Sequence, residues 1–227
     1  MPLDLLAFAA HRDDTEITCG GTLIRMAEKG YKVGACDLTQ GEMGTLGSAA
    51  EREAESQEAA RLMGLAVRVN CELPDACVFN TREYQLRVVE ILREHKPKVV
   101  IVPGHEQRHP DHRITPQLVF DACYFAGLEK FASGPKHRPQ KILYCHNATF
   151  EERRPSFVVD VTAQMDKKIA AVLAYRTQFP DREKMTEWLR ARARVYGLMI
   201  GTTYGEGFTQ REVLQVDDLV TLPGQSI

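Results

Sequence analysis

A chain of 227 residues, 44% hydrophobic and 26% charged, carries enough apolar material for one well-packed domain, residues 1–227, and leaves little room for a second. A formal net charge of −2, a pI near 6.4 and the absence of a basic block exclude the electrostatic footprint of a nucleic-acid binder. No apolar run approaches the ~20 residues of a membrane span and no basic segment precedes the apolar opening at Leu3, so no membrane partner and a cytoplasmic location are expected.

In chain order, short apolar runs alternate with helical periodicities, the signature of βαβ units. The expected strands are residues 3–10, 32–38, 67–71, 98–103, 141–146 and 156–161, and the expected helices 21–29, 48–63, 82–95, 116–127, 163–177 and 183–196. The first and fourth strands are almost continuously apolar, as strands covered on both faces should be, and are therefore placed at the centre. Ser48 and Glu51 form a capping-box signature, and Gly30 and Gly64 are expected helix stops. The fold class is α/β: a Rossmann-like, mostly parallel sheet flanked by helices, with the tail after Asp217 loosely held. Six cysteines without a Cys-x-x-Cys pair read as reduced, mostly buried thiols.

Two clusters carry the chemistry. Ala10-His11-Arg12-Asp13-Asp14 follows the first strand, and Arg108-His109-Pro110-Asp111-His112 follows the fourth. Ligands of open α/β sheets bind beyond the carboxyl ends of the strands, so the two clusters can meet. Imidazole and carboxylate donors suit Zn²⁺, whose catalytic sites take three protein ligands and keep one position open. His11, Asp14 and His112 supply that set, and Asp13, His109 and Asp111 remain as spare acids and bases. Taken singly, each residue has a plainer reading: Asp14 as a helix cap, His109 and His112 as turn residues. The coincidence of two clusters at two strand ends favours a metal site.

The loop containing Gly41, Gly44 and Gly47 is a second candidate, but its Gly-x-x-Gly-x-x-Gly spacing departs from the dinucleotide fingerprint and Glu42 would repel a pyrophosphate. A substrate-binding loop is the better reading, with Arg52 as its companion. The plainer alternative for Arg52 is a solvated arginine paired to Glu55 or Ser56. A Rossmann-type nucleotide enzyme stands as a rival class.

These motifs, with Leu73-Pro74-Asp75, the stretch Tyr175-Arg176-Thr177-Gln178-Phe179 and the stretch Tyr204-Gly205-Glu206-Gly207-Phe208, give the chain a resemblance to the LmbE-like, or PIG-L, zinc deacetylases. It is most similar to the branch that deacetylates N-acetylglucosaminyl malate in bacillithiol biosynthesis. The resemblance implies one zinc ion per chain on His11, Asp14 and His112, with Asp13 as general base. It implies that His109, held as imidazolium by Asp111, assists the oxyanion and the leaving amine. Arg52 and Arg108 are implied substrate contacts, Tyr175 is a further candidate, the substrate is an N-acetyl sugar, and the assembly is a homo-oligomer, a hexamer in relatives. Arg12 departs from the family, where proline usually stands, and this keeps a non-catalytic sugar-binding relative as a rival class. Arg12 is expected either to bind an anionic aglycone or to point to solvent.

Overall fold

The computed structural model describes residues 1–147, 154–218 and 220. Among the described residues, seven strands form one sheet: β1 (Leu5–Ala9), β2 (Val33–Thr39), β3 (Val67–Leu73), β4 (Val99–Pro103), β5 (Lys141–Cys145), β6 (Phe157–Asp160) and β7 (Gly205–Gln210). Their spatial order is β3-β2-β1-β4-β5-β7-β6. The first five are mutually parallel, and β7 runs antiparallel between β5 and β6. As their apolar sequences require, β1 and β4 lie at the centre, paired from Leu5–Val99 to Ala7–Ile101. The connection leaving β1 runs toward β2, whereas β4 returns on its other side. That reversal opens a crevice at the carboxyl ends of β1 and β4.

Six α-helices among the described residues cover the sheet: α1 (Asp14–Glu28), α2 (Ala49–Met63), α3 (Arg82–His95), α4 (Pro110–Ala126), α5 (Met165–Val172) and α6 (Arg182–Met199). Period-2 alternation divides β1 between two cores. Leu6 and Phe8 pack with Val88 and Leu92 of α3 and Leu118 and Val119 of α4, while Ala7 packs with Leu23 of α1 and Ala59 and Met63 of α2. A third cluster joins Met165, Ile169 and Val172 of α5 to Leu189 and Ala193 of α6. The capping box closes reciprocally, with Ser48 Oγ accepting from Glu51 N–H and Glu51 Oε2 accepting from Ser48 N–H. Gly64 ends α2 in the left-handed conformation, φ 70°. Five of the six cysteines are buried, and Cys77 is exposed. No helix among the described residues is long and apolar enough to cross a membrane.

Four expectations need correction. Helix α1 begins at Asp14, not at residue 21, because its polar first turns continue through a kink at Cys19 (φ −133°) into the apolar half. Beyond that kink, the buried Glu206 carboxylate accepts the N–H groups of Gly21 and Thr22. Helix α4 starts at Pro110, whose fixed φ suits a first helical position, and Pro116 lies inside it. The helix expected over 163–177 ends at Val172, where the chain turns, and Glu55 takes both the N–H and the hydroxyl of Thr177. Strand β7 was not expected: Gly205 and Gly207 break the apolar alternation, yet a Cβ on Gly207 would come within 2.7 Å of the Tyr196 ring. The tail after Asp217 lies outside the described residues apart from Asp218 and Val220.

Candidate active site

The two clusters meet at the crevice between β1 and β4. His11 Nδ1 lies 3.0 Å from His112 Nε2 and 3.4 Å from Asp14 Oδ2, and His112 Nε2 lies 3.0 Å from the same carboxylate oxygen. Such separations serve a shared proton or a shared cation alike, so the donor chemistry decides between them. Two imidazole nitrogens and one carboxylate oxygen match the donors of catalytic zinc, and tetrahedral bonds of ~2.0–2.1 Å set ligand atoms about 3.3 Å apart. The residues present therefore fit a divalent metal. The rings of His11, His109 and His112 form a triangle with centroids 4.9, 5.1 and 5.2 Å apart, so His109 faces the same point.

Electrostatics within the cluster reinforce this. Burial alone would push the Asp14 carboxyl up, but the charges and hydrogen bonds of His112 and His11 hold it well below the usual carboxylate range. Burial likewise opposes charge on His11, yet Asp14, Asp75 and Asp13 raise its pKa to about 9. His112 is raised in the same way, burial being outweighed by Asp14. Asp13 differs: burial and the neighbouring Asp14 charge lift it to about 6, against the pull of Arg52 and His11. It stands at the N-cap of α1 but its side chain makes no capping hydrogen bond.

Asp75 is the residue that sequence reasoning left without a role. Its Oδ1 lies 2.9 Å from His11 Nε2 and accepts the Ala76 N–H, while Oδ2 accepts the N–H of Met43. Its own N–H donates to Glu42 Oε1. The glycine loop is thereby tied to the imidazole of His11. The His11 Nε2 face, with Asp75 and Asp111, is a second group spaced for a cation, as is the trio His11, His109 and His112. In the Nε2 group, however, both carboxylates are already occupied by backbone N–H groups. The motif Leu73-Pro74-Asp75 was the available signal.

Asp111 is placed differently from expectation. Its carboxylate, 1% exposed, accepts the N–H groups of Ala76 and Val78 and so holds the turn that carries Asp75. It makes no hydrogen bond to the His109 ring. His109 Nδ1 instead accepts the backbone N–H of Asp111, 3.2 Å away, and burial together with the His11 and His112 charges lowers its pKa. The expected pairing of the Asp111 carboxylate with the His109 ring is thus replaced by a backbone contact, and an accepting Nδ1 leaves the ring's donor proton on Nε2.

Of the expected substrate contacts, Arg108 is exposed beside His109. Arg52 is buried and donates to Gly41 O at 2.6 Å rather than pairing with Glu55. A Cβ on Gly44 would approach its Nη1 within 2.8 Å, and one on Gly41 would collide with the guanidinium, so these glycines make room for Arg52. Tyr175 is 0% exposed; its hydroxyl donates to Arg12 O and lies 3.2 Å from Glu16, leaving no surface for a substrate. Arg12 is 3% exposed, paired to Glu53 and donating to Ala49 O, so it meets neither expectation made for it. Its carbonyl is gripped by Tyr175 and by Arg68, which also pairs with buried Glu16 and Asp37. These contacts fix the ligand loop where a proline ring would otherwise do so.

A family model described as PIG-L, GlcNAc-PI de-N-acetylase, matches residues 6–123, the span containing both clusters. The conserved protein TT1542 from Thermus thermophilus is 39% identical, with a TM-score of 0.87 over 95% of this chain and 98% of that one. N,N'-diacetylchitobiose deacetylase from Pyrococcus horikoshii is 32% identical, with a TM-score of 0.81 over 90% of this chain and 82% of that one. Diacetylchitobiose deacetylase from Thermococcus kodakarensis is 30% identical, covering 89% of this chain and 81% of its own.

Proposed function

Because this chain belongs to the PIG-L family and is a hydrolytic N-deacetylase, we propose that it removes the acetyl group of an N-acetylglucosamine conjugate with one divalent metal, zinc, held by His11, Asp14 and His112. The observation that carries this reading is the meeting of those three donor atoms, 3.0–3.4 Å apart, at the carboxyl ends of β1 and β4. Bound there, the metal would supply an acidified water and a Lewis acid for the acetyl carbonyl.

The chain's own residues handle the protons and the charge. Asp13, poised near neutrality and unused in capping, takes a proton from the attacking water and delivers it to the departing amine. His109 donates from Nε2 to the developing oxyanion, its tautomer set by the Asp111 N–H. Asp75 accepts the Nε2 proton of His11, which leaves Nδ1 to ligate. Arg52 steadies the glycine loop beside Asp13, and Arg108 reaches the sugar from the rim.

The finer reading is N-acetyl-α-D-glucosaminyl L-malate, in a cytoplasmic bacillithiol-type pathway, by one domain spanning residues 1–227 that assembles as a homo-oligomer. Support comes from the Tyr175–Phe179 and Tyr204–Phe208 segments and from the free thiols. The test is amine release from a panel of N-acetylglucosamine conjugates carrying malate, a second sugar or a methyl group. Highest kcat/KM for the malate conjugate is expected. A preference for the disaccharide would move the assignment to chitobiose-type substrates, and no release from any conjugate would remove the sugar deacetylase reading.

A further inference from the structure

We propose that the cleft bounded by β4, β5 and β7 is a subsite for a carboxylate on the substrate's aglycone, anchored by Arg211; the assignment rests on the N-acetyl sugar reading above. The cavity has a volume of about 600 Å³. Tyr144 and Thr209, partners across the β5–β7 ladder, form its floor, and Gly104, His105, Glu106 and Arg211 stand around it. The cavity shares a loop with the reaction centre: Gly104–Glu106 open the segment that ends in His109 and His112. His109 lies four positions after His105, a reach of at most ~14 Å even fully extended. A substituent on a sugar whose acetamide lies against His11 and His112 can therefore enter the cavity.

Two groups in the cleft ask for an anionic acceptor. The guanidinium of Arg211 lies 4.0 Å over the Phe120 ring and 5.4 Å from the Tyr144 ring centroid, and Nη2 is 3.4 Å from His105 Nε2. No carboxylate among the described residues forms an ion pair with it. The two aromatic rings hold the guanidinium at the edge of the cavity, where its N–H donors remain open to a carboxylate, which a guanidinium can grip bidentately. Tyr144 is 3% exposed, and its hydroxyl has no hydrogen-bond partner. A buried hydroxyl left in that state is a cost to the folded chain that a ligand oxygen would remove. A neutral alkyl aglycone would leave both donors unmatched.

Calorimetry on the metal-loaded protein tests this without turnover, using deacetylated glucosamine joined to L-malate, methyl glucosaminide and L-malate alone. Arg211→Gln is expected to weaken the malate conjugate roughly 10–100-fold and to leave the methyl glycoside unchanged. Arg211→Lys should fall between, since it keeps the charge and loses the fork. Tyr144→Phe should weaken the conjugate several-fold without lowering Tm, a pattern that a structural role for the hydroxyl would not give. Equal losses for both glycosides, no loss for either, or no binding of the malate conjugate to the unaltered protein would overturn the subsite. Malate alone binding as tightly as the conjugate would mark a site for free dicarboxylates and overturn the aglycone assignment. Arg211-dependent binding without amine release would sink the hydrolytic reading and leave the subsite standing.

Discussion

Oδ1 of Asp75 stands 2.9 Å from Nε2 of His11, across 64 positions of sequence, and the same carboxylate holds the N–H of Met43 in the glycine loop. A carboxylate behind a ligating imidazole fixes its tautomer and raises its basicity, and loss of such a partner costs about 10–100-fold in metal affinity. Asp75→Ala is therefore expected to weaken zinc binding by that factor in chelator competition. Asp75→Asn, which keeps an oxygen acceptor for the Nε2 proton, should retain most of the affinity. Equal loss in both variants would show that charge, not orientation, is what Asp75 contributes.

Asp13 has a pKa raised to about 6, first by burial and then by Asp14. A general base must be ionised, so kcat/KM should fall as pH drops below about 6 and level off above it. Asp13→Asn should lower kcat by about 10²–10⁴ while leaving metal stoichiometry unchanged. A pH profile of the same shape in the variant would assign the acid limb to another group.

The metal-free protein holds a proton on His11 up to about pH 9. Its folded pKa lies above the unfolded value, so the stability this proton contributes is complete below about pH 6.5 and is lost as pH rises through 9. The same proton must leave before Nδ1 can hold a cation. Apparent zinc affinity should therefore climb about tenfold per pH unit between pH 7 and 9 for each displaced proton. A pH-independent affinity, measured with a buffered chelator, would contradict the ligand role of His11.

Tyr175→Phe separates a positioning role from a substrate contact. Removing one hydroxyl that donates to Arg12 O should cost about 1 kcal/mol in chemical denaturation. The Michaelis constant should not change, because no part of the ring is exposed. A rise in that constant with unaltered stability would restore Tyr175 to the substrate.

Gly41 has φ 72° and lies against the Arg52 guanidinium. Gly41→Ala combines left-handed strain with a collision and should lower stability by about 1–2 kcal/mol. Turnover should fall with it, as Arg52 is pushed from beside Asp13. Unchanged denaturation midpoints would mean that the loop yields freely.

Much of this architecture was legible because it rests on local patterns. Unbroken apolar runs marked β1 and β4 as central, and a strand end followed by His-x-x-Asp marked the crevice. What stayed hidden depends on tertiary partners. β7 carries glycines where a strand normally carries branched residues, since Tyr196 fills the space above Gly207. Asp75 has no local signature apart from Leu73-Pro74-Asp75, and only the fold brings it to His11. Asp111 sits two residues from His109, which invited a pairing, but the first turn of α4 directs its carboxylate to the turn at Ala76 and Val78. Both expectations for Arg12, an aglycone contact or a side chain in solvent, assume exposure because charged side chains are seldom buried, and its partner Glu53 lies far along the chain, on α2.

Metal-dependent deacetylation is tested most directly by a zinc titration of chelator-stripped protein, followed by amine release from an N-acetylglucosamine conjugate. Activity should be negligible in the stripped protein, rise in proportion to added metal and saturate at one ion per chain, with His112→Ala failing to reach that plateau at any zinc concentration. Full turnover by the stripped protein, or an unaltered titration in His112→Ala, would contradict it.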